Sequence, residues 1–126
     1  FVDQPVAIKF PGSEVWSPTD LTPPSGLSMT LRDGLVFSKN TITAQVMQQV
    51  GPARVAQLAK AMGVRQSKLD EVPSLALGTS PVTLREMVAA YGTIANGGYY
   101  VEPMLVTHVT DRTGRTLMEF APQRKP

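Results

Sequence analysis

The sequence contains no cysteine and only one histidine, His108. Without cysteine there can be no disulfide and no thiolate metal site. A single histidine argues against a histidine-based metal site or a Ser-His-Asp triad within the chain. We expect His108, in the first strand of a predicted hairpin, to be a surface or edge residue. No metal site and no cofactor are predicted.

The sequence also has little excess of either charge and no long apolar run. The formal net charge is only +2, so bulk charge does not favour a nucleic-acid partner. No apolar run approaches the length of a membrane span, and no signal peptide is visible. Hydrophobic residues make up 42% and charged residues 17% of the 126 residues, as is typical of one modest globular domain. The chain begins at Phe1, which leads us to interpret it as a piece of a longer protein.

Composition divides the chain into four segments. Residues 1–29 are rich in proline and should lie extended over a surface. Residues 30–98 show helical periodicity, and residues 99–120 have the β-branched and aromatic content of a β-hairpin. The tail 121–126 is expected to be frayed. The sequence therefore predicts a mainly α fold with a C-terminal β-hairpin.

Apolar residues recur at helical spacing in three of the predicted helices. We expect these stripes to meet in one core, so that Leu58→Ala would cost roughly 2–5 kcal/mol. Thr83 and Glu86 form a predicted capping box at the head of the third helix. The stripes are Ile42/Val46/Val50, Val55/Leu58/Met62 and Leu84/Val88/Tyr91.

A polar corner, Ser38-Lys39-Asn40, separates two of the predicted helices. A short helix should begin near Thr30, and a second helix should end at Gly51. By itself the pair Ser38 and Asn40 is a weak signal, because serine and asparagine are both preferred at helix starts as caps. The alternative is that the corner carries chemistry.

Trp16, the only tryptophan, lies in the proline-rich segment next to Pro18. A tryptophan in such a loop usually anchors the loop to the core. The functional alternative is an aromatic wall beside a cleft, which would make Trp16 a weak substrate-binding candidate.

Several stretches occur in the order of a known protein family. They are Trp16-Ser-Pro-Thr-Asp20, Met29-Thr-Leu-Arg-Asp-Gly-Leu35, Ser38-Lys39-Asn40-Thr41, Leu75-Ala-Leu-Gly-Thr79, Val82-Thr-Leu-Arg-Glu-Met-Val-Ala-Ala-Tyr91 and Ala95-Asn-Gly-Gly98. Together they resemble the transpeptidase domain of bifunctional (class A) penicillin-binding proteins, from about Pro11 to Phe120. The first stretch is similar to that family's Trp-x-Pro-x-Asn segment, with aspartate at its last position.

The resemblance implies a fold and a place within it. The family domain is α/β (β-lactamase-like), with a helical lobe packed against an antiparallel sheet, so residues 1–126 should be a partial transpeptidase domain that supplies the helical lobe and a hairpin. The family uses three motifs, Ser-x-x-Lys, Ser-x-Asn and Lys-Thr-Gly, and only the second occurs here. By the family's order, we expect the nucleophile before Phe1 and the Lys-Thr-Gly strand after Pro126.

The resemblance also implies an activity, which is peptidoglycan cross-linking by acyl transfer. Ser38 would relay a proton and Asn40 would orient reacting groups. The implied partners are the D-Ala-D-Ala stem peptide, β-lactams and the remaining parts of the transpeptidase domain, with no nucleic acid. The parent would act on the periplasmic face of a bacterial inner membrane, anchored by a segment outside this chain. Alone, the chain should be inactive.

Two other interpretations remain open. Leu58 to Val72 has the apolar skeleton of a DNA-binding helix-turn-helix, with Arg65, Gln66 and Lys68 on the second helix. Asp70 and Glu71 in that would-be recognition helix argue against phosphate contact. The chain could also be a non-catalytic helical module used for protein contacts.

Overall fold

The computed structural model describes all 126 residues. Four α-helices and a 3₁₀ helix precede four short strands. The helices are α1 Leu31–Val36, α2 Asn40–Val50, α3 Pro52–Met62, the 3₁₀ helix Pro73–Leu77 and α4 Leu84–Ala95, and the strands are β1 Tyr100–Val101, β2 His108–Thr110, β3 Thr116–Glu119 and β4 Arg124–Lys125.

The chain folds as two compact units. The first comprises Phe1–Leu58 and Lys68–Pro81, and the second comprises Ala59–Ser67 and Val82–Pro126. The division falls inside α3, so neither unit corresponds to one continuous stretch of sequence.

In the first unit, the proline-rich segment is extended and is pinned by two isolated β-bridges. Val2 pairs with Ser28, and Ile8 pairs with Trp16 through two backbone hydrogen bonds of 2.8 Å. The Ile8 side chain is fully buried, whereas most of the segment is exposed. The segment is therefore held by backbone pairing and a few anchors, as its proline content predicts.

Helices α1 and α2 pack closely within this unit. A Cβ placed on Gly34 would lie 2.6 Å from Cγ2 of Ile42, so only glycine permits the approach. Helix α2 also contacts the 3₁₀ helix. Its buried face consists of Thr41, Ile42, Ala44 and Met47.

In the second unit, the predicted capping box forms at the head of α4. Thr83 accepts from the Glu86 N–H, and the Glu86 carboxylate accepts from the Thr83 N–H. The same carboxylate accepts hydrogen bonds from the backbone of Gln66 and from both the hydroxyl and the backbone of Ser67. The Ser67 hydrogen bonds hold the pKa of Glu86 well below its ordinary range. This buried carboxylate therefore ties the 66–67 segment to α4.

The strands form two small antiparallel pairs. In the β2–β3 hairpin, His108 is opposite Glu119, and both strands are exposed on both faces. The exposure of His108 agrees with its prediction as a surface or edge residue. The expectation of a frayed tail was wrong, because Arg124 and Lys125 in β4 pair with β1.

The prediction of a single core from three apolar stripes was also wrong. Leu58 is 62% exposed and Val88 is 61% exposed. Periodicity correctly located the helices, but on α4 the buried residues are Glu86, Ala89 and Thr93. The outward apolar face of α4 consists of Leu84, Met87, Val88, Tyr91 and Ile94.

The helix-turn-helix interpretation lacks its recognition helix. Helix α3 ends at Met62, and residues 64–72 contain no helix before the 3₁₀ helix starts at Pro73. Arg65, Gln66 and Lys68 consequently lie in irregular backbone. Glycine at position 63 adopts φ +135°, which stops α3 and redirects the chain.

Candidate functional site

The candidate site is the corner between α1 and α2, and Ser38 forms its apex. Thr30 is the N-cap residue of helix α1, and its hydroxyl accepts from the Asp33 N–H at 3.1 Å. The helix ends in a Schellman arrangement, in which the Ser38 N–H donates to Leu35 and the Lys39 N–H donates to Gly34.

Ser38 therefore occupies the left-handed position that glycine usually takes at a helix end. Its φ is +53°, and no other residue apart from glycine has a positive φ. For an L-residue this conformation costs roughly 1–2 kcal/mol. Its exposed hydroxyl makes no hydrogen bond within the chain. A strained backbone that presents an uncommitted hydroxyl is more typical of a functional position than of a structural one.

Asn40 is the first residue of α2 and is held by two consecutive residues of the proline-rich segment. Its backbone N–H donates to Oδ1 of Asp20 at 2.7 Å. Its side-chain Nδ2 donates to the backbone oxygen of Thr19 at 2.9 Å. Because Nδ2 faces Thr19, the carboxamide oxygen of Asn40 is the acceptor left for another group.

The structure does not support the capping explanation of Ser38 and Asn40. The N-cap residue of α2 is Lys39, which makes no side-chain capping bond. Asp20 satisfies the Asn40 N–H instead, from 20 residues away in the sequence. Neither candidate side chain caps the helix that follows.

A fully buried carboxylate, Asp3, supports the corner from behind. Its Oδ1 accepts from the Thr41 hydroxyl at 2.8 Å, and its Oδ2 lies 3.1 Å from Nζ of Lys39. Ser25 donates to Oδ2 through both its backbone N–H and its hydroxyl, each at 3.0 Å. The hydrogen bond from the Ser25 backbone, followed by those from Thr41 and Lys39, holds the pKa of Asp3 well below its ordinary range.

Trp16 is not brought into contact with the corner. Its backbone pairs with Ile8, and its half-buried side chain lines a depression formed with residues 12–15 and with Val72, Pro73 and Ser74. Trp16 therefore stays a weak substrate-binding candidate, and the anchoring interpretation stays open beside it. The link to the corner is indirect, since Trp16 precedes Asp20 in the same extended segment.

The corner presents two polar groups with free hydrogen-bonding capacity. Ser38 offers a hydroxyl that can donate and accept at once, and Asn40 offers an oriented carboxamide. The adjacent Lys39 is engaged with Asp3 and Thr22, so it does not provide a free amine for proton abstraction. A nucleophile and its base would have to come from elsewhere.

Sequence reasoning missed Asp3, Thr19 and Asp20 as parts of the site. Thr19 and Asp20 belong to the stretch Trp16-Ser-Pro-Thr-Asp20. That stretch was recognised as part of the family resemblance, but its contacts with Asn40 were not predicted. The sequence held a weak signal for Asp20. Lys39, just before the second predicted helix, has no side-chain acceptor for the free backbone N–H groups of the first turn, so an acceptor from elsewhere in the chain is implied.

No side-chain group of three His, Cys, Asp or Glu residues is arranged to hold a metal ion. No helix combines the length and the apolar character that crossing a bilayer requires.

Comparisons with known proteins agree on one family. The model of the penicillin binding protein transpeptidase domain matches residues 7–126. The chain is 32% identical to penicillin-binding protein 1A of Haemophilus influenzae over 121 residues, covering 96% of this chain and 14% of the relative. It is 39% identical to penicillin-binding protein 2D of Bacillus subtilis over 97 residues, covering 77% of this chain and 14% of the relative.

A solved structure shows the same fold. The crystal structure of penicillin-binding protein 1A from Haemophilus influenzae superposes with a TM-score of 0.85 at 32% identity, covering 98% of this chain and 19% of that one. The predicted fold class, a mainly helical piece of the transpeptidase fold, is thereby confirmed. The chain spans only about 14% of the length of the curated relatives described above.

Proposed function

Because this chain belongs to the penicillin-binding protein transpeptidase domain family, we propose that it contributes Ser38 and Asn40 to the active site of a serine-type D,D-transpeptidase. The chain spans about 14% of its relatives, so the activity is that of a longer parent protein. In that parent, the Ser-x-x-Lys and Lys-Thr-Gly motifs would come from sequence outside residues 1–126.

The observation that supports the proposal is the state of the Ser38 hydroxyl. It is exposed, has no partner within the chain and lies at the only left-handed non-glycine position. A serine at a position where glycine would be less strained points to a role beyond the fold. A proton relay is such a role, because it needs a hydroxyl that is not committed to a structural hydrogen bond.

The reaction is an acyl transfer in two steps. The nucleophilic serine of the parent attacks the carbonyl of the D-Ala-D-Ala bond, its proton passes to the leaving amine, and the last D-Ala departs. An amine of a neighbouring stem peptide then attacks the ester carbonyl, the bond to the serine oxygen breaks, the amine's proton passes to that oxygen, and the new amide is the cross-link. Ser38 relays the proton to the leaving amine, and Asn40 orients the reacting groups through its free carboxamide oxygen.

The partners follow from this chemistry. They are the D-Ala-D-Ala stem peptide, β-lactams that acylate the same serine, and the rest of the transpeptidase domain. The reaction requires no cofactor. The parent would work at the periplasmic face of the inner membrane, where its substrate is found.

The test is the second-order rate of β-lactam acylation in the parent. Ser38→Ala should reduce it by roughly 10²–10⁴, the range of a lost proton-transfer partner. Asn40→Asp should reduce it steeply as well, because the new carboxylate would pair with the catalytic lysine and keep it protonated. If both variants acylate at the wild-type rate, with unchanged thermal stability, Ser38 and Asn40 are structural residues.

A second experiment uses the 126-residue chain alone. A fluorescent penicillin should not label it covalently, since it holds no Ser-x-x-Lys motif. Covalent labelling on a denaturing gel would mean that the active serine lies within this chain.

One observation favours a second candidate, a helical contact module without catalysis. The apolar face of α4, which includes Leu84, Tyr91 and Ile94, is exposed, and bare apolar surfaces of this kind mark contact sites. The acylation experiment separates the two candidates, because a contact module would lose no acylation rate on Ser38→Ala.

A further inference from the structure

We propose that Asp20 is a positioning residue for the Ser38–Asn40 corner, and that it sets the acylation rate without touching the substrate. The proposal rests on the function proposed above. It concerns a residue outside the Ser-x-Asn motif, in the proline-rich segment.

Asp20 provides the capping acceptor that the start of α2 lacks. Lys39 makes no side-chain capping bond, and the Asn40 N–H donates to Oδ1 of Asp20 at 2.7 Å. A carboxylate at a helix start also interacts favourably with the helix dipole. The location of the first residue of α2 therefore depends on a side chain 20 residues upstream.

The preceding residue of the same segment orients the Asn40 side chain. Thr19 accepts from Nδ2 of Asn40 through its backbone oxygen at 2.9 Å. Residues 19 and 20 thus hold Asn40 by its side chain and by its backbone, and we call this pair of contacts the clasp. Since the two residues are adjacent, a displacement of Asp20 also displaces the Thr19 oxygen.

The other contacts of the corner do not replace the clasp. Asp3 bonds Thr41 and Lys39, which lie on either side of Asn40, and neither contact reaches the carboxamide. Ser38 adds strain at φ +53°, so the corner is not a minimum-energy turn that would hold its geometry unaided. A displacement of about 1 Å at a reacting group can cost roughly 10²-fold in rate.

Geometry, rather than charge, is the property that Asp20 supplies. Asn caps helices as well as Asp does, so Asp20→Asn keeps an acceptor at the same place while it removes the charge. Asp20→Glu keeps the charge but moves the acceptor by one methylene. If Asp20 positions Asn40, the asparagine variant should react faster than the glutamate variant.

The experiment measures β-lactam acylation of the parent protein, separated into the binding constant and the acylation rate constant. Asp20→Ala should lower the acylation rate constant by roughly 10²-fold and leave the binding constant unchanged. The acylation rate constant of Asp20→Asn should stay within about 3-fold of the wild-type value, which is less than a tenfold change. The rate constant of Asp20→Glu should fall between those of the other two variants.

Thr83→Ala is the matched control, because it removes the N-cap of α4 without altering the corner. It should lower the melting temperature and keep the wild-type acylation rate. If Thr83→Ala loses as much acylation as Asp20→Ala, the effect of Asp20 is only one of stability and the proposal is overturned. Should Asp20→Ala fail to fold, the order of the asparagine and glutamate variants decides.

Ser38→Ala, measured alongside, distinguishes failure of this inference from failure of the proposed function. If Ser38→Ala slows acylation but the three Asp20 variants all react at the wild-type rate, only the role of Asp20 is refuted. If Ser38→Ala also reacts at the wild-type rate, the active-site assignment itself is wrong.

Discussion

Replacing Gly34 by alanine should destabilise the chain, although alanine is the better helix former. The built Cβ would lie 2.6 Å from Cγ2 and 2.9 Å from Cβ of Ile42, whose side chain is 1% exposed. Optimal carbon contacts are about 3.5–4.0 Å, so α1 and α2 would have to separate. Overpacking of this kind costs about 1–3 kcal/mol, against a gain of about 0.5–1 kcal/mol for replacing glycine in a helix.

The contact distance places the cost of Gly34→Ala in the upper half of the overpacking range. The expected net loss is about 1–2.5 kcal/mol. Gly92 provides the matched control, because it also lies inside a helix, α4, and a Cβ there would meet nothing within 4 Å. Gly92→Ala should therefore stabilise by about 0.5–1 kcal/mol.

Urea denaturation of the two variants and of wild type measures these changes directly. A double-mutant cycle with Ile42→Ala locates the clash, since that change removes both γ carbons and should lessen the cost of Gly34→Ala. If Gly34→Ala stabilises the chain as much as Gly92→Ala does, α1 and α2 are not packed this closely. The geometry of the Ser38–Asn40 corner would then need revision.

Three further predictions concern single side chains. Leu58→Ala should change the unfolding free energy by less than about 0.5 kcal/mol in urea denaturation, because Leu58 is largely exposed; a loss above about 2 kcal/mol would restore the single-core hypothesis. Ser38→Gly should raise stability by up to about 1 kcal/mol by relieving the left-handed backbone, and a loss in calorimetry would refute the strain. The pKa of Asp3 is lowered by folding, so its ionised form stabilises the chain above the unfolded pKa of about 3.9, and this contribution is lost as pH falls towards the folded pKa. The melting temperature of wild type should therefore fall as the pH is lowered below about 4, and Asp3→Asn should make this fall less steep. An equally steep fall in Asp3→Asn would contradict the buried network.

The local elements could be predicted from spacing along the chain. The capping box at Thr83 and Glu86 forms as predicted, and α2 ends before Gly51, as the glycine indicated. These features depend on residues within four positions of each other, where spacing alone defines which groups can meet. The ordered stretches, from Trp16 to Ala95-Asn-Gly-Gly98, likewise predicted the family correctly.

Which helix faces are buried could not be read from periodicity. The stripe with Leu84, Val88 and Tyr91 marks α4 as amphipathic, yet its buried side chains include Glu86 and Thr93. Periodicity tells which residues share a face, but it does not tell what lies opposite that face. The buried polar residues there are satisfied by hydrogen bonds to residues distant in sequence, such as those from Gln66 and Ser67 to Glu86.

The contacts that hold the candidate site could not be predicted from the sequence either. Ser38 and Asn40 were predicted from their motif, whereas the contacts from Thr19 and Asp20 to Asn40 span 21 and 20 residues. Sequence spacing carries no information about such contacts, because an extended proline-rich segment has no period that fixes where it returns to the helices. The left-handed backbone of Ser38 could not be predicted either, because a serine in the sequence does not indicate a positive φ as a glycine does. Only the fold shows that the Ser38 hydroxyl is uncommitted and that the Asn40 carboxamide is oriented by Thr19.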